Sequence, residues 1–577
     1  MCGIAGIVYF GTGKKPFPEN IVQRMLERIS RRGPDEKGVF NDDKGAIGSV
    51  RLSIVGGQGG RQPICESGCV LAFNGEIYNF LDLDRTTRSD THALFRLLYK
   101  GGVTDHVLNS LNGVWAFCYS DAKHVYLVRD RFGEKPLYYT LFKECLCFCS
   151  EIKGFLEIPG LKLKITLPDM YPQLETTLSG KTIFEQIFEV PPGSYVAFDR
   201  KSGASKQRAY YSLLDALRKD RHSFDEEQFS SLVVDAVTLR TPNIPYSAYV
   251  SGGIDSAAIV GMLSPDQVLT CTDQIPGLRE DQYADLVVAR NGGVVNYTKM
   301  GTTYSVQDFV EMVYANDGPT TTFAAISEFL LAQRVRNKVV LSGMGVDEFF
   351  GGYGRHLIAY SNEVQAEIAG QYRYLISKAG SSSNPAQRYY RLINRDSPHP
   401  SLEHLVEHIF SIAQDPIAAM GVCDAEVSLL PLLSTSDKMN FWSGVEERSP
   451  FLDYRIVEYG LSLEANDKIR KDDKGLVAKY AFREAIKKFL PKEVYERRDK
   501  IGFSSRISEM LRGGWSPLVG RLGSLLKKEY PGEEYYAIPL SIEAFDRKNY
   551  QIFQIGITHL LFCQRMTVPD VVEFLTR

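Results

Sequence analysis

The hydrophobic pattern of this chain changes along its length, and this change limits the fold more than any other feature. Up to about residue 200, β-rich runs such as Ile4–Tyr9, Cys69–Phe73, Val114–Tyr119 and His124–Val128 are separated by Gly, Asn and Asp, which predicts strands in stacked sheets. Farther along, strand-like runs alternate with helical segments, which predicts a doubly wound parallel sheet. Since 577 residues exceed what one hydrophobic core supports, we expect two or three domains.

A polar segment, Asp199–Ser205, separates the two patterns and is the predicted domain boundary. It divides the chain into a first domain at 1–203 and a second at 204–577. The second domain is predicted to alternate strands at Tyr246–Val250, Val268–Thr272 and Lys338–Leu341 with helices after Gly253 and near Tyr283–Ala289. From about Ala359 onwards the periodicity is mainly helical, which indicates a helical elaboration of this α/β domain.

Charge and cysteine content exclude several classes of protein. A net charge of -3 gives neither the basic face that nucleic acid requires nor a polybasic membrane anchor, so we expect small-molecule partners. Ten cysteines without a repeating CxxC frame argue against a disulfide scaffold and indicate a reducing, cytoplasmic environment. Cys145, Cys147 and Cys149 alternate, as on one face of a strand. No uninterrupted apolar segment reaches the roughly 18–20 residues of a membrane span, and no basic region precedes the N-terminal apolar run.

Cys2 directly follows Met1, and this position makes its thiol a candidate nucleophile. A small second residue permits removal of the methionine, which leaves a thiol and a free α-amine on one residue. Because an α-amine titrates near ~7.7–8.0, it accepts the thiol proton at neutral pH without a histidine partner. The alternative is that Cys2 merely precedes an apolar strand, and the dipeptide alone favours that alternative.

The motifs around Cys2 favour catalysis. They are RRGPD at Arg31–Asp35, RLSIV at Arg51–Val55, FNGEIYN at Phe73–Asn79, SDT at Ser89–Thr91 and RDRFGEKPLYY at Arg129–Tyr139. Together they resemble the class II glutamine amidotransferases over nearly all of residues 2–200. The resemblance implies an Ntn-type αββα sandwich with Cys2 as the catalytic nucleophile.

The same resemblance assigns roles around the glutamine. Arg51 would hold its α-carboxylate, since a guanidinium matches a carboxylate with two hydrogen bonds. Glu76 and Asp90 would hold its α-ammonium. Asn74 and the Gly75 amide would form an oxyanion hole, worth roughly 3 kcal/mol per donor; the alternative for this dipeptide is a tight turn. Only ten residues separate Asn79 from Asp90, where the family has a helix and a longer loop, so we expect a shortened pocket wall.

A second reactive motif, YSAYVSGGIDS at Tyr246–Ser256, places SGGxDS between a predicted strand and a predicted helix. In that context Gly252 and Gly253 let the backbone approach a pyrophosphate, and Ser251 and Ser256 add hydroxyls. Asp255 is a candidate magnesium ligand. The motif is not GxxxxGKS and resembles the PP-loop, which implies adenylation; an ordinary flexible turn is the alternative.

Five segments resemble the asparagine synthetase family over about residues 240–505. They are LREDQYA at Leu278–Ala284, NDGP at Asn316–Pro319, LSGMGVDEFFGGY at Leu341–Tyr353, VEERSPFLDYRIVE at Val445–Glu458 and RRDKIGF at Arg497–Phe503. The resemblance implies that Asp255 and Asp347 bind Mg²⁺ with pyrophosphate, and that Thr272, Ser342 and Gly343 bind ATP. Lys500 would stabilise charge on the α-phosphate, the alternative being a solvated lysine.

The implied reaction uses glutamine, ATP and a carboxylate such as aspartate. Glutamine is hydrolysed at Cys2, ammonia channels to an acyl-adenylate, and the products are an amide, AMP, pyrophosphate and glutamate. The resemblance leaves the oligomeric state open, a homodimer being one candidate. Two other functions stay open: a member that amidates a non-aspartate carboxylate, and a cyclising descendant without glutaminase activity.

Two departures from the family pattern concern the acceptor. The family's SGEGSDE reads SGMGVDE here, so Met344 replaces a glutamate and Val346 a serine. A thioether neither takes a proton at neutral pH nor pairs with an ammonium, so either another acid substitutes or the acceptor differs. Bulky Phe441 and Trp442 are expected to reshape the acceptor pocket. A separate pattern, HxxEH at His404–His408, fits a zinc peptidase, but its surroundings are typical of a plain amphipathic helix.

Overall fold

The structure is a computed structural model, and it describes residues 2–11, 16–166, 180–272, 280–292, 296–301, 304–360, 375–394, 399–473, 475–498, 507–531 and 542–577. Twelve strands form the N-terminal part: β1 (Cys2–Tyr9), β2 (Glu36–Asp42), β3 (Gly45–Arg51), β4 (Ile64–Glu66), β5 (Cys69–Ile77), β6 (Gly113–Ser120), β7 (His124–Arg129), β8 (Tyr138–Phe142), β9 (Cys145–Cys149), β10 (Phe188–Glu189), β11 (Ser194–Asp199) and β12 (Ser205–Ala209). The four strands predicted from the sequence are therefore confirmed.

These strands form two antiparallel six-stranded sheets, in the orders β10-β8-β9-β1-β3-β2 and β12-β11-β7-β6-β5-β4. The sheets pack face to face, with Ile4 and Val8 of β1 in one apolar cluster with Ala116 and Leu127 of the other sheet. One face of each strand therefore points into the sandwich, as the alternating sequence predicts.

Four helices accompany the sandwich: α1 (Ile21–Arg28), α2 (Phe80–Leu83), α3 (Asp90–Gly101) and α4 (Asp105–Ser110). The buried face of α1 packs with Cys145, Cys147 and Cys149 of β9, whereas the intervening Leu146 and Phe148 face the other sheet. Helix α3 packs on β5. The layers are thus helix, sheet, sheet and helix, and the interpretation of the three cysteines as one strand face is confirmed.

The predicted boundary at Asp199–Ser205 needs correction. Backbone hydrogen bonds between Asp199 and Gly203 make it the turn of a hairpin whose second strand, β12, pairs with β11 along its length. Residues 205–209 therefore belong to the first sandwich, although the segment is polar and contains Gly and Ser. Composition alone does not distinguish an exposed hairpin from a linker.

The second half is built on five parallel strands: β13 (Ser247–Tyr249), β14 (Gln267–Thr272), β15 (Tyr297–Gly301), β16 (Val339–Leu341) and β17 (Glu446–Arg448). Their order, β15-β14-β13-β16-β17, reverses direction between β13 and β16. This confirms the predicted parallel sheet. The sequence did not indicate β17, because its residues Glu446, Glu447 and Arg448 are all charged, yet all three are buried.

Helices surround this sheet and continue to the C-terminus, together with a two-stranded ribbon, β18 (Ile469–Asp472) and β19 (Gly475–Ala478). The helices are α5 (Leu213–Leu217), α6 (Glu226–Arg240), α7 (Ile254–Met262), α8 (Asp281–Arg290), α9 (Val306–Ala315), α10 (Ala325–Ala332), α11 (Val346–Phe349), α12 (Gly354–Tyr360), α13 (Pro385–Ile393), α14 (Pro400–Ile412), α15 (Pro416–Asp424), α16 (Leu430–Trp442), α17 (Tyr454–Ser462), α18 (Ala465–Lys468), α19 (Tyr480–Ile486), α20 (Lys492–Tyr495), α21 (Ile507–Arg512), α22 (Ser516–Glu529), α23 (Ile542–Thr558) and α24 (Val568–Thr576).

The helical run Pro416–Trp442 meets the length and hydropathy of a membrane span, and 72% of its apolar window is buried inside the protein.

Buried ion pairs join the two halves. Asp437 of α16 accepts hydrogen bonds from Arg32 Nη1 at 2.7 Å and from Lys135 Nζ at 2.9 Å, both in the N-terminal half. All three side chains are at most 3% exposed. Burial opposes ionisation, but the two cations hold the pKa of Asp437 below its usual value. Removing one partner from such a cluster leaves uncompensated charge in a low dielectric.

We expect Asp437→Asn to lower the free energy of unfolding by about 3–5 kcal/mol, because Lys135 and Arg32 lose the carboxylate that they share and Arg32 keeps only its pair with Glu151. Urea unfolding measures this change. The control is Asp215→Asn, since Asp215 pairs with Arg218 at the surface with both side chains more than half exposed, and it should change stability by less than about 1 kcal/mol. Because the folded pKa is lowered, the contribution is present above the unfolded pKa and is lost as pH falls through the folded value. Equal effects of the two variants would contradict this account.

Candidate active sites

Cys2 begins β1, a central strand, and pairs with Arg51 at the end of β3. Its thiol is buried, and the Gln62 side-chain amide donates a hydrogen bond to Sγ at 3.4 Å. Burial raises the pKa of the Cys2 thiol above its ordinary value, although the charge of Arg51 opposes this. The thiol therefore needs a base before it acts as a nucleophile.

Asn74 lies beside Cys2 and leaves one donor unused. The Cys2 backbone N–H donates to Asn74 Oδ1 at 3.2 Å, whereas Asn74 Nδ2 is buried and has no hydrogen-bond partner among the described residues. An unpaired buried donor costs about 1–3 kcal/mol unless a ligand pairs with it. Asn74 and Gly75 lie inside β5, so the alternative of a tight turn is wrong. A Cβ on Gly75 would come within 2.2 Å of the Val114 carbonyl oxygen, which explains the glycine.

Arg51 and Asp90 are both buried near the thiol. Arg51 donates from Nη1 to Glu36 Oε2 at 2.8 Å and from Nη2 to the Val55 carbonyl at 2.9 Å. Asp90 is the first residue of α3, where its carboxylate accepts from the Ile77 N–H at 3.3 Å, and burial raises its pKa. Between β5 and α3 there is a single helical turn, α2, in line with the expected short pocket wall.

Glu76 makes a contact that the sequence did not predict. Its carboxylate pairs with Arg448 of β17, and Arg448 Nε also donates to Glu446 at 2.7 Å. Burial raises the pKa of Glu76 above its ordinary value, whereas the charge of Arg448 opposes this shift and favours the ionised carboxylate. The structure therefore connects Glu76 directly to the second half of the protein.

A second site lies where β13 and β16 end, at the reversal of strand order, which is the usual ligand position in open α/β sheets. A cavity of about 490 Å³ occupies this place. Of the predicted residues, it is lined by Ser251, Asp255, Ser256, Ser342, Gly343 and Asp347. The loops after the two strands touch, because a Cβ on Gly343 would lie 2.6 Å from the Ser256 nitrogen.

Three predicted residues are not among the cavity-lining residues. Gly252 has φ +84°, and a Cβ there would meet the Glu280 carbonyl at 2.3 Å, so its role is the shape of the loop. Gly253 is the residue that precedes α7. Thr272 donates its hydroxyl to the Met300 carbonyl at 3.2 Å, and Cys271 lines the cavity instead. The expectation that Thr272 contacts ATP is therefore not supported by the structure.

Asp255 and Asp347 converge on one cation, the Lys479 ammonium, at 2.5 and 2.9 Å. Two carboxylates within reach of one cation, both lining this cavity, fit Mg²⁺, which is typically bound by one or two carboxylates plus substrate phosphates. No group of three or more metal-binding side chains occurs in the described part of the chain. Lys500 lies outside the described residues. The sequence analysis missed Lys479.

The departures from the family pattern occupy different places. Met344 lines the cavity, whereas Val346 is buried in the core. Phe441 packs against Leu52 and Val114 of the first half, under the Arg32 guanidinium. Trp442 lies under Arg31 at 4.0 Å. The expectation that Phe441 and Trp442 shape the acceptor pocket is thus wrong, since the end of α16 meets the other half of the protein.

The HxxEH pattern lies on α14, with His404, Glu407 and His408 all exposed. None of these side chains belongs to a group of three or more potential metal ligands among the residues described. The peptidase alternative therefore lacks a site.

The buried thiol with its unpaired amide donor, and the cavity at the sheet reversal, define a class: a glutamine-hydrolysing, ATP-dependent ligase that forms amides. Two family models match the chain, a glutamine amidotransferase domain over residues 1–211 and asparagine synthase over residues 228–544. The chain belongs to the asparagine synthase family.

Relatives of similar length carry two kinds of name. Glutamine-hydrolyzing asparagine synthetase 3 of Bacillus subtilis is 27% identical over 561 residues, covering 86% of each chain. Amidase chry2 of Gibberella zeae is 26% identical over 629 residues, covering 92% of each. A solved structure titled as the allosteric regulatory enzyme of purine biosynthesis has 16% identity and a TM-score of 0.28, covering 52% of this chain and 80% of that one, which is too weak to carry an argument.

Proposed function

We propose that Cys2 hydrolyses glutamine and that the released ammonia reacts with an acyl-adenylate in the second cavity. The observation that carries the first half is the buried Asn74 Nδ2, an unused donor beside the only residue that can combine a thiol with an α-amine. Arg51 binds the α-carboxylate of glutamine, and Asp90 binds its α-ammonium. Glu76 also contacts the α-ammonium while it remains paired with Arg448.

The proton inventory at Cys2 supports this role. After Met1 is removed, the Cys2 nitrogen becomes an amine that still donates one N–H to Asn74 Oδ1. Its lone pair is then free to accept the thiol proton, directly or through water. Asn74 Nδ2 donates a hydrogen bond to the oxyanion that forms on the glutamine side-chain carbonyl. This bond gives the buried amide donor the partner that it lacks in the structure.

ATP binds in the second cavity with its phosphates on the loop around Ser251 and Ser256. Asp255 and Asp347 would hold Mg²⁺, which would neutralise phosphate charge there. Ser342 and Gly343 contact the nucleotide. The resemblance to the family implies that Lys500 stabilises charge on the α-phosphate. The leaving group is pyrophosphate, and the activated species is an acyl-adenylate.

The acceptor is aspartate or a related acid, and Met344 in the cavity favours a related acid. A cyclising descendant without glutaminase is disfavoured, because Cys2, Arg51, Asn74 and Asp90 are all clustered in the first site. The ten cysteines are all free thiols, as a reducing, cytoplasmic compartment would maintain them.

We expect Cys2→Ala to abolish glutamine-dependent amide formation and to preserve ammonia-dependent synthesis, because only the first half-reaction uses the thiol. Glutamate and amide production measure the two reactions, and Cys65→Ala, a change at an exposed thiol, serves as the control. Mass spectrometry of the N-terminus should show that Met1 is absent from active protein. Equal loss of both reactions in Cys2→Ala would contradict two separate sites.

We expect ATP to be split to AMP and pyrophosphate in the presence of Mg²⁺. Asp255→Asn should lower that turnover about 100-fold with glutaminase retained, since phosphate neutralisation is worth several kcal/mol. Asp285→Asn, which removes a partly exposed carboxylate paired with Lys299, is the matched control. Release of ADP and phosphate would refute the adenylation scheme.

We expect aspartate to be a poor acceptor for the unmodified protein, because Met344 supplies no charge for its ammonium. Pyrophosphate release with a panel of carboxylates identifies the preferred acceptor. Met344→Glu should improve kcat/KM for aspartate relative to that acceptor by about tenfold, with the KM for ATP changed less than twofold; Met344→Leu is the uncharged control. Asparagine formation by unmodified protein at roughly 1 s⁻¹ or more would oppose altered specificity.

A further inference from the structure

Two buried glutamates in the second cavity share one hydroxyl group. Glu328 of α10 and Glu447 of β17 both contact Ser436 Oγ of α16. All three residues line the same cavity as Met344. Among the described residues, no lysine or arginine lines this cavity, although the charge of Lys135 acts on Glu447 from outside it.

The arrangement fixes the number of protons. A serine hydroxyl has one hydrogen and therefore donates to only one carboxylate, so the other contact needs a proton on the second carboxyl group. Asn440 Nδ2 donates to Glu447 Oε2 at 2.8 Å, which favours the ionised form of Glu447. Glu328 is then the acid that donates to Ser436.

The electrostatics agree with this assignment. Burial and the neighbouring charge of Glu447 raise the pKa of Glu328 to about 8. Two adjacent buried carboxylates cannot both ionise at neutral pH, so the pair holds one proton. Glu348 also lines this cavity, and its buried Oε2 is an acceptor with no hydrogen-bond partner among the described residues.

Glu447 also lies close to the nucleotide loop. It is opposite Val340 in the pairing of β17 with β16, and β16 leads directly into Ser342 and Met344. A carboxylate on β17 therefore enters the cavity beside the position where the family pattern has a glutamate on the loop.

We propose that Glu447 is the general base of amide formation, oriented by the hydrogen-bond chain from Glu328 through Ser436, in place of the carboxylate absent at Met344. This inference rests on the proposed function. The ammonia lone pair forms the C–N bond with the acyl carbon, one N–H proton passes to Glu447, and the C–O bond breaks with its electrons leaving on AMP. The proton returns to solvent when the products leave.

The test separates adenylation from amide formation. ATP–pyrophosphate exchange reports the first step, and ammonium chloride with the preferred carboxylate of the panel reports the second. Glu447→Gln should lower ammonia-dependent amide formation about 100-fold or more and change exchange less than threefold, because a general base contributes roughly 10²–10⁴-fold. Glu328→Gln should cause a loss at least tenfold smaller, since an uncharged amide replaces an uncharged acid.

Glu426→Gln is the matched control, a half-buried glutamate on the neighbouring helical run that does not line the cavity. Unchanged amide formation in Glu447→Gln, or equal loss of exchange and amide formation, would overturn the inference while leaving the proposed function intact.

If unmodified protein shows no ATP–pyrophosphate exchange with any carboxylate of the panel, the proposed function is wrong. The assignment of Glu447 as general base is then wrong as well. Infrared difference spectroscopy tests the stored proton independently of turnover. One component of the protonated-carboxyl absorption should be lost in Glu328→Gln, and an absorption identical to that of unmodified protein would overturn the assignment of the proton to Glu328.

Discussion

The arrangement of the two sites depends on the buried ion pair between Arg448 and Glu76. It belongs to β17, the edge strand of the parallel sheet, and pairs with Glu76 in the glutamine site. The preceding residue, Glu447, lines the second cavity. A three-residue strand thus touches both sites, so movement of the halves relative to each other would break a buried ion pair, at a cost of about 3–5 kcal/mol.

Charge pairing also explains how the two halves stay packed around polar groups. Arg32 donates to the Cys2 carbonyl at 3.2 Å and to Asp437 of the second half at 2.7 Å. Phe441 packs under Arg32 and among apolar residues of the first half. These contacts connect the strand that begins with Cys2 to a helix of the second half.

The second cavity contains Met344 where the family pattern has a glutamate, and it is also lined by the carboxyl groups of Glu328 and Glu447. Met344 removes a carboxylate from the nucleotide loop, and Glu447 with Glu328 adds a pair from a different strand and helix. The altered loop and the buried pair are therefore two parts of one change in the site.

The sequence by itself determined the strands of the sandwich and the parallel sheet, because periodicity is a local property, whereas the grouping of Cys2, Arg51, Asn74 and Asp90 was implied by the resemblance to the class II glutamine amidotransferases. Tertiary structure alone decided the rest. β17 is charged at every position, so no hydrophobic pattern marks it, and Phe441 was misplaced because the partner of a helix end is not encoded locally. Asp199–Ser205 has the composition of a linker but forms a hairpin through pairing. Glu328 and Glu447 are 119 residues apart in sequence, and only folding brings both to the hydroxyl of Ser436.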